Sequence, residues 1–275
     1  MDQTEEGPTF ASGTTGLRDA VLGLAVGDAL GVPYEFRPRG SFCCDGMVGF
    51  GTHQQPAGTW SDDTSMTLAT CDSIRALGSV DAADVRRRFE RWLNEGAYTP
   101  DGDVFDCGGT TSAAIELGHG LAGDRDNGNG SLMRIAPLAF CGATDDQVRA
   151  VSAITHAHPT STEACVDFVH LLRAAQANPA ATWSRLKAEL GDVPAREVRS
   201  GGYVVDTLRA ARWCAGTTSS YESCVLSAVN LGSDTDTTAA VAGALAGTLY
   251  GRQAIPPKWL GTLRRKDLIE GCLWR

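Results

Sequence analysis

From Thr64 onward the apolar residues of this chain recur at helical spacing, and the alternation that a half-buried strand needs is scarce. Met66, Leu68, Ile74 and Leu77 mark one helix, and Val85, Phe89, Trp92 and Leu93 mark another. Within the segment Tyr203 to Ala215, the residues Val204, Leu208, Ala211 and Ala215 keep the same period. The run from Thr237 to Leu249 is dense with Ala and other small residues, which lets helices approach closely. Nearer the amino terminus, Leu17, Leu22, Leu24 and Val26 open an apolar helical segment that Gly31-Val32-Pro33 stops. Three stretches match the capping box, Thr144 to Gln147, Thr160 to Glu163 and Ser219 to Glu222. The pattern predicts an all-α protein.

The chain has 275 residues, near the size at which one hydrophobic core stops growing. It carries no solenoid-period repeat and no dividing linker, so one domain over residues 16–275 is expected after a flexible polar tail, residues 1–15. Residues 35–60 are punctuated by Pro and Gly and form a long loop, a feature that compact domains usually keep for function. With 24 Lys and Arg against 33 Asp and Glu, the net charge of −9 argues against binding nucleic acid through its phosphates. The cysteines number nine, with no C-x-x-C pair, which disfavours a disulfide framework and a zinc site and suits a reducing, cytoplasmic setting. The acidic start MDQTEEGPTF lacks the apolar core of a signal peptide, and the apolar stretch Ala239 to Tyr250 is too short to cross a bilayer. A monomer away from membranes is the default expectation.

Two acidic clusters stand at predicted helix starts: Ser61-Asp62-Asp63-Thr64 and the run from Ser233 through Asp234, Thr235, Asp236 and Thr237 to Thr238. Helix capping accounts for one such side chain at each place, because Ser, Thr and Asp satisfy orphan amides and carboxylates suit the positive end of the helix dipole. Four carboxylates with several hydroxyls exceed what two caps need. Asp234 and Asp236, at i and i+2, can converge on one cation, and adjacent Asp62 and Asp63 can serve two ions or one ion with its water shell. If the two helix starts meet, their charges repel unless a divalent cation offsets them. Hard oxygen donors without His or Cys favour magnesium or manganese.

The glycine-punctuated loop Asp126 to Ser131 leads into the apolar run Leu132 to Phe140. Its amides can hold phosphate oxygens, or it can be a plain turn with Ser131 as a cap. His156 and His158 precede Pro159, where a helix terminus is the simple reading.

Taken in order, these segments resemble the ADP-ribosylglycohydrolase family over nearly the whole chain. The matching pieces are Gly23-Leu-Ala-Val-Gly-Asp-Ala-Leu-Gly31 with Glu35, Trp60-Ser-Asp-Asp-Thr64, Phe105-Asp-Cys-Gly-Gly-Thr-Thr111, Gly128-Asn-Gly-Ser-Leu-Met-Arg-Ile-Ala-Pro137, Thr155-His156 and Gly232-Ser-Asp-Thr-Asp-Thr237. The resemblance implies a single-domain orthogonal helical bundle with two divalent cations, Mg2+ or Mn2+, at the bottom of an ADP-ribose cleft. It implies metal ligation by Ser61, Asp62, Asp63, Asp234, Asp236 and Thr237. Glu35 would lie close to the metals, and Asp106 would match the acid or base of the arginine-directed branch. It places Asn129, Gly130 and Ser131 on the diphosphate and ribose, His156 and His158 near the ligand, and Tyr203 beside the nucleotide pocket. Ser61 stands where Thr is more usual, Gly109 where many relatives carry Asn, and Ser112 where many carry Arg, so contacts near the leaving group differ.

The activity implied is hydrolytic removal of ADP-ribose from a modified protein or a small ADP-ribosyl conjugate, with arginine linkage preferred and ADP-ribose as product. Either Asp106 or Glu35 would be the acid/base carboxylate. A metal-dependent nucleotide phosphohydrolase could use the same ligands, and a non-catalytic ADP-ribose-binding protein could use the same fold. The retained carboxylates disfavour the latter, because a scaffold has no need of charges that repel without metal.

Overall fold

The helix α1 (Leu17–Gly31) is buried along almost its whole length, and antiparallel to it lies α10 (Thr235–Tyr250), which is buried throughout. Glycines at four-residue spacing bring the two backbones together. A Cβ on Gly23 would meet the Gly243 carbonyl oxygen at 2.3 Å, one on Gly27 the Ala239 carbonyl oxygen at 2.1 Å, and one on Gly31 the Asp236 Cα at 2.3 Å. From the other side, a Cβ on Gly243 would meet the Gly23 carbonyl oxygen at 2.2 Å. No side chain fits between them, so the end of α1 is pressed onto the first turn of α10. The Tyr221 hydroxyl donates to the Gly23 carbonyl at 2.7 Å and satisfies the buried pair from the flank.

This computed structural model describes residues 7–11, 13 and 16–274. Around the central pair are α2 (Asp62–Leu77), α3 (Ala82–Glu95), α4 (Gly109–Leu117), α5 (Asp145–Ser152), α6 (Pro159–Ala177), α7 (Pro179–Leu190), α8 (Val204–Thr217) and α9 (Tyr221–Asn230). The short helices α11 (Pro257–Thr262) and α12 (Lys266–Cys272) follow. Among the described residues there is no strand, only isolated bridges, of which Gly128 with Tyr203 and Leu121 with His156 tie loops together. The all-α expectation holds. Trp60, Trp92, Arg134, Tyr221, Tyr250, Phe89 and Phe168 are the largest fully buried side chains among the described residues.

Several local expectations are met and others corrected. Thr144 caps α5 with Gln147 reciprocating, as the capping box requires. Helix α6 starts earlier than Thr160: His158 is its N-cap and Pro159 its first residue. Pro159 therefore opens a helix instead of ending one, because its missing N–H would be unpaired at that position anyway. Helix α9 is capped by Ser220 answering Ser223, one residue past the expected Ser219 and Glu222. The run Leu132 to Phe140 folds as two short 3-10 turns, Leu132–Arg134 and Ala136–Phe140, with Pro137 between its ends. Residues 35–60 lack any α-helix, as expected.

All nine cysteines are free, and six of them are buried. Of the expected flexible tail, residues 1–6, 12, 14 and 15 lie outside the described residues. Within the rest, Phe10 stacks on Tyr250 with ring centroids 5.9 Å apart, and the Ala11 amide donates to the Leu249 carbonyl at 3.3 Å. Among the described residues no helix is long and apolar enough to cross a membrane.

Candidate active site

Three elements converge at the amino-terminal ends of α2 and α10. The fully buried Asp28 of α1 accepts from the Ser61 amide at 2.9 Å, the Thr64 amide at 3.0 Å and the Thr64 hydroxyl at 2.6 Å. One carboxylate thus fastens the start of α2 to α1, while the glycine contacts hold the start of α10 against the same helix. Burial pushes the Asp28 carboxyl up to about 6 even against the Thr64 and Ser61 hydrogen bonds. The clue in the sequence is an acid, Asp28, set inside the apolar stretch from Ala20 to Gly31.

Both acidic clusters are helix starts, and they meet. Ser61 caps α2 by accepting the Asp63 amide, and Asp234 occupies the N-cap position of α10. The Asp63 carboxylate receives the Ser61 hydroxyl at 3.1 Å from its own helix and the Thr237 hydroxyl at 3.3 Å from the other. Asp234 takes the Asn129 side-chain amide at 2.8 Å, and that amide also donates to the Thr207 hydroxyl at 3.0 Å. Ser233, just before the cap, holds φ at 66°, a left-handed backbone that turns the chain into α10.

Desolvation is the largest influence on the Asp62, Asp63, Asp234 and Asp236 carboxyls and raises all of them. Repulsion adds to it: Asp106 acts on Asp62 and Asp236, and Asp28 on Asp63. Asp63 Oδ1, Asp234 Oδ1 and Asp236 Oδ2 are buried without any hydrogen-bond partner. A buried carboxylate oxygen so exposed to its neighbours' charge is costly unless a cation faces it. Ligand oxygens of Glu35, Asp234 and Asp236 lie within 4.8 Å of one another. The donor set, carboxylates with the Ser61 and Thr237 hydroxyls beside them, fits a hard divalent cation such as magnesium or manganese.

Glu35 and Asp106 flank this cluster at the wall of a cavity of about 270 Å³. Glu35 is buried, and desolvation followed by repulsion from Asp234 pushes its carboxyl up to about 8. Asp106, on a strained residue with φ at 59°, is pushed up to about 7 by desolvation and by Glu35. Between them stands His53, whose Nε2 lies against the Glu35 carboxylate and 3.9 Å from Asp106 Oδ1. Glu35, His53 and Asp106 form a second group able to converge on one atom. His53 sits in the irregular loop, eighteen residues from Glu35, and no spacing rule points to it.

The opposite wall is glycine-rich backbone: Gly108, Gly109, Gly128, Asn129, Gly130 and Gly202 line it together with His156. Desolvation holds His156 down to about 3, so the ring is neutral. Its Nδ1 pairs with the Thr155 hydroxyl at 2.8 Å. The fully buried Arg134 donates to that hydroxyl at 2.8 Å, to the Gly130 carbonyl at 3.2 Å and to the Val151 carbonyl at 3.2 Å, with Phe89 under its guanidinium. Arg134 therefore fixes both the glycine loop and the histidine from behind.

Other expected residues lie elsewhere. Ser131 is fully buried, accepts the Ser152 hydroxyl at 2.9 Å and faces Cys165, so its side chain points into the core and not into the cavity. His158 uses its ring nitrogen to cap α6. Tyr203 is 41% exposed and outside the cavity lining, although its neighbour Gly202 is part of it. Asp62, Asp234 and Thr237 reach the cavity wall, while Ser61, Asp63 and Asp236 sit behind it.

Known proteins share this arrangement of sequence and fold. A family model described as ADP-ribosylglycohydrolase matches residues 15–274. The chain is 33% identical over 280 residues to the ADP-ribosylarginine hydrolase Tri1 of Serratia proteamaculans, an alignment covering 92% of this chain and 76% of that protein. It is 36% identical over 271 residues to the ADP-ribosyl-dinitrogen reductase glycohydrolase of Rhodospirillum rubrum, covering 90% of each. A solved structure described as an ADP-ribosylglycohydrolase-related protein complex superposes with a TM-score of 0.78 at 34% identity, covering 92% of this chain and 94% of that one. With the family model spanning the whole helical domain and two relatives above 30% identity, the chain belongs to the ADP-ribosylglycohydrolase family.

Proposed function

We propose that this ADP-ribosyl hydrolase cleaves the bond between the distal ribose and an arginine side chain in a modified protein, with divalent cations held by Asp62, Asp63, Asp234, Asp236, Thr237 and Ser61. The observation that carries the reading is the trio of buried carboxylate oxygens without partners, Asp234 Oδ1 at the cavity wall and Asp63 Oδ1 and Asp236 Oδ2 behind it. Relatives named as arginine-directed hydrolases, at 33% and 35% identity, support the linkage. When bound, such cations would supply positive charge that orients the ribose hydroxyls and offsets the negative charge of the carboxylates around them.

The protein's own groups do the rest. The glycine-rich wall offers backbone amides to the diphosphate, and neutral His156 contributes a ring nitrogen without adding charge. Hydrolysis joins a water oxygen to the anomeric carbon, breaks the carbon–nitrogen bond and leaves its electron pair on the guanidine nitrogen, which takes a proton. The Asp106 side chain is 15% exposed and the Glu35 side chain 6%. A leaving group attached to a protein must extend outward, so Asp106, nearer the mouth, protonates the departing nitrogen. Glu35, deeper, receives the proton of the attacking water, a role that needs the cations' charge to bring its carboxyl down from the value near 8 that burial and Asp234 give it. His53 lies against Glu35 and close to Asp106 and helps orient both carboxyls.

The test is release of ADP-ribose from arginine-linked and serine-linked proteins side by side, with magnesium, with manganese and with chelator. Release from the arginine-linked protein that chelator abolishes is the expected outcome. Release that persists in chelator would overturn the metal assignment, and release from the serine-linked protein alone would overturn the linkage.

A further inference from the structure

Phe36 follows Glu35 and holds its ring at the mouth of the cavity, 68% exposed. Its backbone is left-handed, with φ at 62°, a conformation that costs a bulky residue free energy. Two reciprocal bonds impose it: the Phe36 amide donates to the Ser233 carbonyl at 2.7 Å, and the Ser233 amide donates to the Arg37 carbonyl at 2.8 Å. Ser233 adjoins Asp234, so the ring is fixed in register with the acidic floor. His53 lies 6.0 Å from Phe36 and 5.2 Å from Phe105, centroid to centroid, giving an arc of three rings. The arc curves around Glu35 and Asp106, because the His53 ring also touches both.

The charge around this arc has one sign. Glu35, Asp62, Asp106 and Asp234 line the cavity, and no Lys or Arg is among its lining residues. An aromatic face attracts a cation, and a planar guanidinium stacks on such a face better than an ammonium does.

The geometry points to Phe36, with His53 and Phe105 behind it, as the platform that holds the guanidinium of the acceptor arginine over its ring at the cavity mouth. This inference rests on the arginine-directed reading above. It adds that discrimination among acceptors is made by a ring outside the carboxylate cluster. A serine-linked acceptor, without charge or plane, gains nothing from it.

The experiment compares Phe36→Leu, which keeps apolar bulk, and Phe36→Trp, which keeps and strengthens the π face, with the wild-type chain. The readouts are KM and kcat on arginine-linked ADP-ribosylated protein and the affinity for free ADP-ribose. Phe36→Leu raises KM about tenfold, the scale of one partly desolvated cation–π contact, while ADP-ribose affinity stays within about twofold. Phe36→Trp restores the wild-type KM. An equal loss of ADP-ribose affinity in Phe36→Leu would assign the ring to the nucleotide and overturn the proposal. So would a Phe36→Leu KM equal to that of the wild type. If the wild-type chain releases nothing from the arginine-linked protein while binding ADP-ribose, the underlying reading fails first, and the platform with it.

Discussion

Asp106 and His156 show how burial sets the job of a single side chain. Asp106 is placed by a strained turn against Glu35 and His53, and the proposed mechanism makes it the acid for the leaving nitrogen. Replacing it with Asn keeps size and hydrogen bonds but removes the transferable proton. Asp106→Asn is expected to lower kcat by about 100-fold or more while affinity for ADP-ribose is retained, as single-turnover kinetics and a binding titration would show. His156 works in the opposite way, through a charge it never takes on. Its folded pKa, near 3, lies below the ordinary value of 6.5. The stability it contributes is complete above pH 6.5 and is lost as pH falls toward 3, because the unfolded chain binds the proton first. Between pH 7 and pH 5 this amounts to about 2 kcal/mol. His156→Gln removes that slope, so the unfolding free energies of variant and wild type should converge on acidification in urea titrations at the two pH values. At this scale the sequence shows Asp62, Asp63, Asp234 and Asp236 well, since hydroxyls and carboxylates at helix starts are a local pattern. It shows Ser131 and His53 poorly, because whether a side chain turns to the core or to the cavity depends on packing partners such as Cys165 and Glu35 that lie far along the chain.

Helix pairs turn these local patterns into a site. The two acidic clusters are separated by 168 residues of chain, and what joins them is the glycine contact between α1 and α10 together with the Asp28 clasp on α2. Gly27→Ala places a methyl 2.1 Å from the Ala239 carbonyl oxygen, where only backbone can yield. Overpacking of this kind costs about 3 kcal/mol and shifts the first turn of α10, so the variant should lose metal affinity along with thermal stability. Calorimetry and a manganese titration check both, and a Gly27→Ala chain with wild-type metal affinity would separate the helix contact from the site. The small-residue run Thr237 to Leu249 announces that some helix comes close, but the sequence does not say which one. Caps were legible where the box stood alone, as at Thr144. They shifted where Pro159 or a second serine at position 220 offered an earlier or better partner.

For the whole molecule, the proposed cation and the folded state would be one thermodynamic system, because the buried like charges favour binding to the native chain. Anything that binds the native state alone stabilises it in proportion to its saturation. Manganese at a hundredfold excess over its Kd is expected to add about 3 kcal/mol to the unfolding free energy, and more if two ions bind. Scanning calorimetry with metal and with chelator would register this as a higher Tm, and Asp63→Asn should abolish most of the difference. The fold class was readable because helical period and cap chemistry are short-range. The orientation of the bundle and the cavity were not, because they arise from backbone approach at Gly23, Gly27 and Gly31 and from bonds such as the Phe36 amide to Ser233. The proposed function has these carboxylates serve hydrolysis at the ribose–acceptor bond and not at the diphosphate. Mass analysis of the products from an arginine-linked substrate incubated with manganese tests it most directly. Intact ADP-ribose and unmodified arginine are the result predicted, and AMP with a phosphoribosyl group left on the arginine would contradict it.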